Sequence, residues 1–301
     1  MALSLVFVQK GRLPALAGWS CEAVSVSATG PGPPRDDSDV VSRFVDVCSA
    51  DDRIVAALLF GSRARAEADE YSDLDLCVIT TDEAFDHVMA ERGAFIGQLG
   101  EPLFIEDFGL DGIAFSILAD GTECELLFGH EGALGEIDVG PFESLVDKRS
   151  ILSGTKFPFG QPDPAEQREQ LRRVLNWFWH DLSHCVAALG RGDLWWAYGQ
   201  LEALRRYCVN LVRIEHGVEA QEEAYEKLAK AVPGSGLAAL QGTFCPLKRD
   251  AMLRAALDLV SFFQEHAPRV AEAYGSEYPA ALERLMSDRL DELAGPGISP
   301  T

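Results

Sequence analysis

The sequence is poor in positive charge. Twenty-six Lys and Arg stand against 48 Asp and Glu, a formal charge of −22. Such a field repels DNA, RNA and anionic membrane surfaces, and it draws cations. No apolar run approaches the ~20 residues of a transmembrane helix. The stretch from Leu3 to Val8 is too short for the apolar region of a secretion signal, and Lys10 and Arg12 follow it rather than precede it. No C-x-x-C occurs among the seven cysteines. Cys48, Cys77, Cys124, Cys185 and Cys208 fall within apolar patterns, so reduced, buried thiols and a cytoplasmic setting are expected. No internal repeat is visible, and no spacing suggests a serine-histidine-acid arrangement. His180 and His184 stand i, i+4, a spacing that zinc sites use. No glutamate follows the first histidine and no third ligand stands out, so two rings on a helix flank are the expected reading.

What is present is concentrated in residues 54–80. An apolar run, Ile54 to Phe60, has the length of a buried strand and stops at Gly61-Ser62. After a polar loop, a second strand begins at Asp73 and runs to Ile79. Side chains alternate faces along a strand, so Asp73 and Asp75 share one face while Leu74 and Leu76 enter the core. Two carboxylates about 7 Å apart along an otherwise apolar strand repel each other, and a divalent cation relieves that repulsion. The alternative is an edge strand with a solvated acidic face. The upstream turn favours the cation: glycine lets backbone approach a ligand, and N–H groups beside a serine hydroxyl form a phosphate cradle. Arg63, next in the chain, is placed to stabilise a triphosphate or a leaving pyrophosphate.

The segment G-S-R-A-R-A-x(5)-S-D-L-D-L resembles the signature of the polymerase-beta-like nucleotidyltransferase superfamily. Gly61, Ser62, Ala64, Ser72, Asp73, Asp75 and Leu76 match it, and Ala66 stands where many members carry glycine. Downstream, Asp120-Gly-Thr-Glu-Cys-Glu-Leu126 resembles a hairpin of the aminoglycoside adenylyltransferases, in particular the streptomycin-modifying branch. That alignment puts Glu125 on the third metal-site acid of the family, with Glu123 on the same face in reserve. A solvated glutamate pair on a hairpin is the plain alternative. Weaker likenesses continue through Phe178-Trp179, Arg191 to Trp196, Arg205-Arg206, Tyr225 to Leu228 and Glu277 to Pro279, so the resemblance spans about residues 40–293. It implies that Lys227, in the helical half, reaches the nucleotide phosphates.

The expected fold is α+β. Residues 1–37 read as a poorly ordered leader, broken by the Gly/Pro tract of residues 29–34, with one short strand around Ala23 to Val26. Residues 38–153 read as a helix-flanked mixed β-sheet nucleotidyltransferase domain. It opens with a helix capped by Asp37 or Ser38, and carries a helix from Asp82 to Leu99 and a strand from Pro102 to Phe108. A hairpin follows, turning at Ala119-Asp120-Gly121. A Gly- and Pro-rich stretch, residues 154–164, separates this from a helical bundle over residues 165–295. Its apolar stripes begin with Leu171, Val174, Leu175 and Phe178 and end with Leu282, Leu285, Met286 and Leu290, with breaks at Gly190, Gly217, Pro233-Gly234 and Gly275.

The resemblance implies a Mg2+-dependent adenylyltransferase that moves AMP from ATP to a hydroxyl of a small cationic antibiotic, an aminoglycoside or a lincosamide. Asp73, Asp75 and Glu125 are the implied catalytic and metal set. Gly61, Ser62, Arg63, Ser72 and Lys227 are the implied nucleotide-binding set. A cationic small molecule and a nucleoside triphosphate are the expected partners of a monomer or homodimer, with no nucleic acid and no membrane. A protein or RNA acceptor, or a catalytically inactive nucleotide-binding scaffold, are the competing readings.

Overall fold

A computed structural model describes residues 36–295, except 138, 158–162, 219, 221–223, 226, 233, 235 and 236. The leader over residues 1–37 and its short strand therefore lie outside the described residues, apart from Asp36 and Asp37. The Asp37 side chain is buried and forms an ion pair with Arg63 instead of capping the helix that follows. Asp36 accepts the Ser38 N–H and hydroxyl at 3.3 and 2.6 Å in its place.

The chain then runs α1 (Ser38–Ala50), β1 (Ile54–Leu59), a short α2 (Gly61–Ala64) and β2 (Leu74–Thr80). The helix expected from Asp82 to Leu99 is divided. A 3-10 turn at Asp82–Ala84 leads into α3 (Phe85–Ala90), and α4 (Arg92–Leu99) follows. Glu91 interrupts them with φ −97° and ψ 4°. Its carboxylate is held by Arg53 at 2.8 Å, and its N–H is shared between the carbonyls of His87 and Val88. The re-aimed α4 brings Phe95, Ile96 and Leu99 into the core, which a straight continuation of α3 has no reason to do.

Strands β3 (Pro102–Glu106), β4 (Ile113–Leu118) and β5 (Glu123–His130) follow. β3 ends two residues short of its expected limit, because Phe108 and Gly109 turn the chain with φ +51° and +74°. The hairpin turning at residues 119–121 is present, and β4 pairs antiparallel with β5. A strand absent from the sequence reading, β6 (Glu143–Asp147), pairs with β1. The six strands lie in the order β3-β4-β5-β2-β1-β6, with β2 and β5 parallel and every other pair antiparallel.

Both faces of the sheet are covered. Leu74, Leu76, Val78, Cys124 and Leu126 pack with Val40, Phe44 and Cys48 of α1 and with the apolar side of α3 and α4. On the opposite face, Val55, Cys77 and Ile79 pack with Ile137, Val139, Leu152 and Phe157. Every residue of β1 and β2 is buried, so the centre of the sheet is dry. Burying the apolar side chains of such strands is the main drive for their pairing.

The second half is helical. α5 (Pro164–Arg191) begins with Asp163 accepting the Ala165 N–H at 2.8 Å and Pro164 in its first turn. It continues through Gly190, where a break was expected, and stops at Gly192, whose φ of +73° suits only the left-handed region. Asp193 then caps α6 (Leu194–Glu215) by accepting the Trp196 N–H at 3.1 Å. The short α7 (Leu228–Ala231) and α8 (Ala238–Gln241) lead to α9 (Arg249–Ala273) and α10 (Ala280–Ala294). At the centre, Phe178 of α5 stacks on Phe263 of α9 at 3.7 Å, and Trp179 meets the same ring edge-on. Of the last expected stripe, Met286 and Leu290 are buried, whereas Leu285 is half exposed. Among the described residues no helix is long and apolar enough to cross a membrane.

Candidate active site

The parallel pairing of β2 with β5 sets Asp75 directly beside Glu125. Asp73, just before β2, shares their face by the two-residue repeat of the strand. One carboxylate oxygen from each of the three lies within 4.8 Å of the other two. Asp73 is exposed, Glu125 half-buried and Asp75 9% exposed. Burial pushes the Asp75 carboxyl up to about 6, and the charges of Asp73 and Glu125 push the same way. The Ser62 N–H, which donates to this carboxylate, and the Lys227 ammonium pull in the opposite direction without cancelling them. Three convergent carboxylates, one of them held in its charged form only at a cost, are a donor set for a hard divalent cation such as Mg2+.

The turn after β1 faces this cluster. Gly61 has φ +66°, and a Cβ built on it would fall 1.6 Å from Asp75 Oδ2. No other residue type leaves room for that carboxylate. The Ser62 hydroxyl is buried yet has no hydrogen-bond partner. A buried hydroxyl without a partner is costly, and a phosphate oxygen in the adjoining cleft would satisfy it. The cleft has a volume of about 740 Å³ and receives Ser62, Asp73, Asp75 and Glu125 from the sheet half, and Lys227 and Lys230 from the helical half. Six carboxylates and three cationic side chains line it.

Not every expected residue reaches the cleft in the same way. The Arg63 side chain turns back, donating from Nε to the Asp73 carbonyl at 3.2 Å and pairing with Asp37. It ties the start of α1 to the start of β2, while Arg65, two residues on, lines the cleft. The Ser72 side chain also lines the cleft, but its hydroxyl is engaged with Asp69, accepting from the backbone N–H at 2.9 Å and donating to the carboxylate at 3.2 Å. Glu123 lines the cleft from the outer, exposed end of β5. Lys227 lines it from the residue before α7, in a left-handed conformation with φ +50°. Lys230 was missed by the sequence reading. Its spacing of three from Lys227, close to one helical turn, was the signal that both ammonium groups face one way.

Ala66 closes the loop with φ +57°. The backbone here adopts the conformation that glycine tolerates best. Ala66→Gly should therefore leave stability unchanged or raise it by up to about 1 kcal/mol, relief of strain outweighing the extra freedom of the unfolded chain. Urea denaturation measures it; a loss of more than about 1 kcal/mol would show that Ala66 is unstrained.

The profile of the family described as streptomycin adenylyltransferase matches residues 35–293. The chain belongs to the streptomycin adenylyltransferase family. It is thus a nucleotidyltransferase, and the adenylyltransferase family profile covers both the sheet half and the helical half. Among solved structures, it is similar to an aminoglycoside 6-adenyltransferase from Bacillus subtilis at 15% identity and a TM-score of 0.42, over 86% of this chain and 99% of that one. It is also similar to a nucleotidyltransferase-like protein from Exiguobacterium sibiricum at 11% identity and a TM-score of 0.39, over 79% of this chain and 77% of that one. No curated protein matches by sequence.

Proposed function

We propose that this adenylyltransferase-family chain moves AMP from ATP to a hydroxyl group of a small cationic antibiotic of the aminoglycoside type. The observation that carries the reading is the trio Asp73, Asp75 and Glu125, with oxygens within 4.8 Å, facing the Gly61-Ser62 turn in a cleft whose charged lining is mostly acidic. Asp73, Asp75 and Glu125 are the residues that would hold Mg2+, which when bound supplies positive charge to the phosphate oxygens. Gly61 leaves room for the Asp75 carboxylate beside the turn, and the Ser62 hydroxyl donates to a phosphate oxygen. Lys227 and Lys230 from the helical half, and Arg65 from the loop after Ser62, neutralise the triphosphate and favour departure of pyrophosphate. Arg63 and Ser72 serve the nucleotide indirectly, by fixing the loop that carries the cradle.

In the reaction the acceptor oxygen bonds to the α-phosphorus as the bond from that phosphorus to the β-bridging oxygen breaks. Pyrophosphate leaves, and the hydroxyl proton passes to a carboxylate of the cleft. Glu123 and Asp69, which also line the cleft, supply negative charge for the ammonium groups of the acceptor.

The test is incubation with Mg2+, each of the common nucleoside triphosphates, and a panel of aminoglycosides and lincosamides, with products read by mass. The expected product is an aminoglycoside carrying one AMP. Its KM at saturating Mg-ATP should rise as salt goes from 0.1 to 1 M, because the screening length falls from roughly 10 to 3 Å. A KM indifferent to salt would defeat the electrostatic part of the reading. Labelled AMP found on RNA or protein, with no aminoglycoside modified, would defeat the acceptor assignment.

A further inference from the structure

A second cluster of metal-ligating side chains lies in the helical half, away from the three acids of the cleft. On α5 the sequence His180-Asp-Leu-Ser-His184 places His180, Asp181 and His184 at i, i+1 and i+4. The first and last are one turn apart, and Asp181 precedes His184 by three, so all three project over one sector of the helix. One ligand atom from each lies within 4.8 Å of the other two. The third ligand that the histidine spacing alone did not reveal is the residue directly after His180.

Two of the three ligands already stand at the spacing that a shared ion requires. His180 Nδ1 and Asp181 Oδ1 are 2.8 Å apart, close to the ~3 Å between neighbouring donors around an ion about 2.1 Å from each. The other carboxylate oxygen, Asp181 Oδ2, accepts a 2.9 Å hydrogen bond from Tyr207 on α6. A hydrogen bond from a second element that orients a ligating carboxylate is the usual outer support of a metal site. The two imidazole rings meet edge to face at 4.6 Å, and Trp177 packs on His180 at 4.8 Å, while Trp196 flanks His184 at 5.9 Å. Asp181 is largely buried whereas His180 is half exposed, so an ion has an open approach from solvent.

We infer that His180, Asp181 and His184 form a binding site for a borderline divalent metal ion, Zn2+, Ni2+ or Co2+, with Tyr207 as its positioning residue. Two imidazoles and one carboxylate select such ions over Mg2+, which prefers an all-oxygen shell. On binding, the metal takes the place of the hydrogen between His180 Nδ1 and Asp181 Oδ1, and the neutral imidazole carries its N–H on Nε2. The His184 ring moves inward by a rotation about its own side-chain bonds to complete the trio. Three ligands from one helix leave at least one coordination position for water or for an oxygen or nitrogen donor arriving from solvent. That position adjoins the cleft of about 700 Å³ to which Asp181, Trp177 and Tyr207 all contribute.

The test uses the full, untagged chain with Co2+ as a spectroscopic probe and Zn2+ in competition with a chromophoric chelator. Four proteins are compared: the natural sequence, Asp75→Asn, His184→Gln and Tyr207→Phe. One equivalent of Co2+ with a visible band of nitrogen ligation should bind the natural sequence and Asp75→Asn equally. His184→Gln, which keeps the size of the side chain, should weaken it by about 100-fold or more. Tyr207→Phe should weaken it by about 10- to 100-fold while the band persists. Circular dichroism of each variant confirms that the helices are retained. The inference is overturned if neither ion binds below millimolar concentration. It is equally overturned if binding survives intact in His184→Gln, or disappears in Asp75→Asn, which would assign the ion to the acids of the cleft. Activity is not needed as a readout, so failure of the antibiotic assignment leaves this result standing.

Discussion

Asp75→Asn should lower adenylyl transfer by about 10³-fold or more, since a metal charge lost from the transition state costs several kcal/mol and each 1.4 kcal/mol is tenfold. The same change should stabilise the metal-free protein at neutral pH. The folded state raises the Asp75 carboxyl from its ordinary 3.8 to about 6, so it holds that proton more tightly than the unfolded chain does. Stability contributed through this group is therefore greatest below pH ~4, falls as pH rises to about 6, and stays reduced above. A shift of this size corresponds to at most about 3 kcal/mol, from which the cost of burying the Asn amide is subtracted. Urea melts in the presence of a chelator should thus show the two proteins alike near pH 4 and the variant more stable at pH 7.5. Near-normal turnover by Asp75→Asn would falsify the metal-site assignment whatever the melts show.

Gly61→Ala should be nearly as damaging to activity and, unlike the first change, should destabilise. A methyl group here would sit 1.6 Å from Asp75 Oδ2, far inside contact distance, at a backbone φ of +66° that alanine adopts only under strain. Either the carboxylate swings out of the cluster or the turn abandons its shape, and the cradle and the metal acids are then no longer opposed. Turnover should fall at least about 10²-fold, as when a single preorganised group is lost. Stability should fall by about 1–3 kcal/mol. The contrast with Ala66→Gly is instructive, since two opposite exchanges five residues apart on one loop should have opposite effects. A fully active Gly61→Ala of unchanged stability would mean that Asp75 does not pass over this glycine.

The parts of the fold that could be read from sequence are those whose signal is local. Ile54–Leu59 and Leu74–Thr80 announced themselves as apolar runs of strand length, and the Asp-Gly turn at residues 120–121 announced the hairpin. β6 did not, because five residues with a mixed, partly exposed pattern look like a loop until β1 offers them an edge. The break at Glu91 was equally invisible, since it depends on Arg53, 38 residues earlier. Gly190 misled in the other direction: a glycine inside a long helix costs only about 1 kcal/mol, which the packing of α5 absorbs. At the site, alternation along one strand was enough to pair Asp73 with Asp75. The meeting with Glu125 needed a sheet partner, and there resemblance to a family supplied what periodicity could not. Which of Arg63 and Arg65 faces the cleft follows from the direction of the short helix α2 and from the claim of Asp37 on Arg63, and neither is legible in the order of residues.

The parallel ladder between β2 and β5 bears on the order in which the molecule assembles. The β4–β5 hairpin and each long helix can form from neighbours in the chain, quickly and by themselves. The β2–β5 pairing must close a loop of about fifty residues, a span that contains α3, α4 and two strands, before its first hydrogen bond is made. It also has to bring Glu125 against Asp75 and Asp73, and the repulsion among the three opposes the step unless a cation is already present. A refolding or newly made chain would therefore regain most of its helix and its hairpin while still having no centre able to bind a nucleotide, and dissolved divalent cation would hasten the last closure rather than merely occupy it.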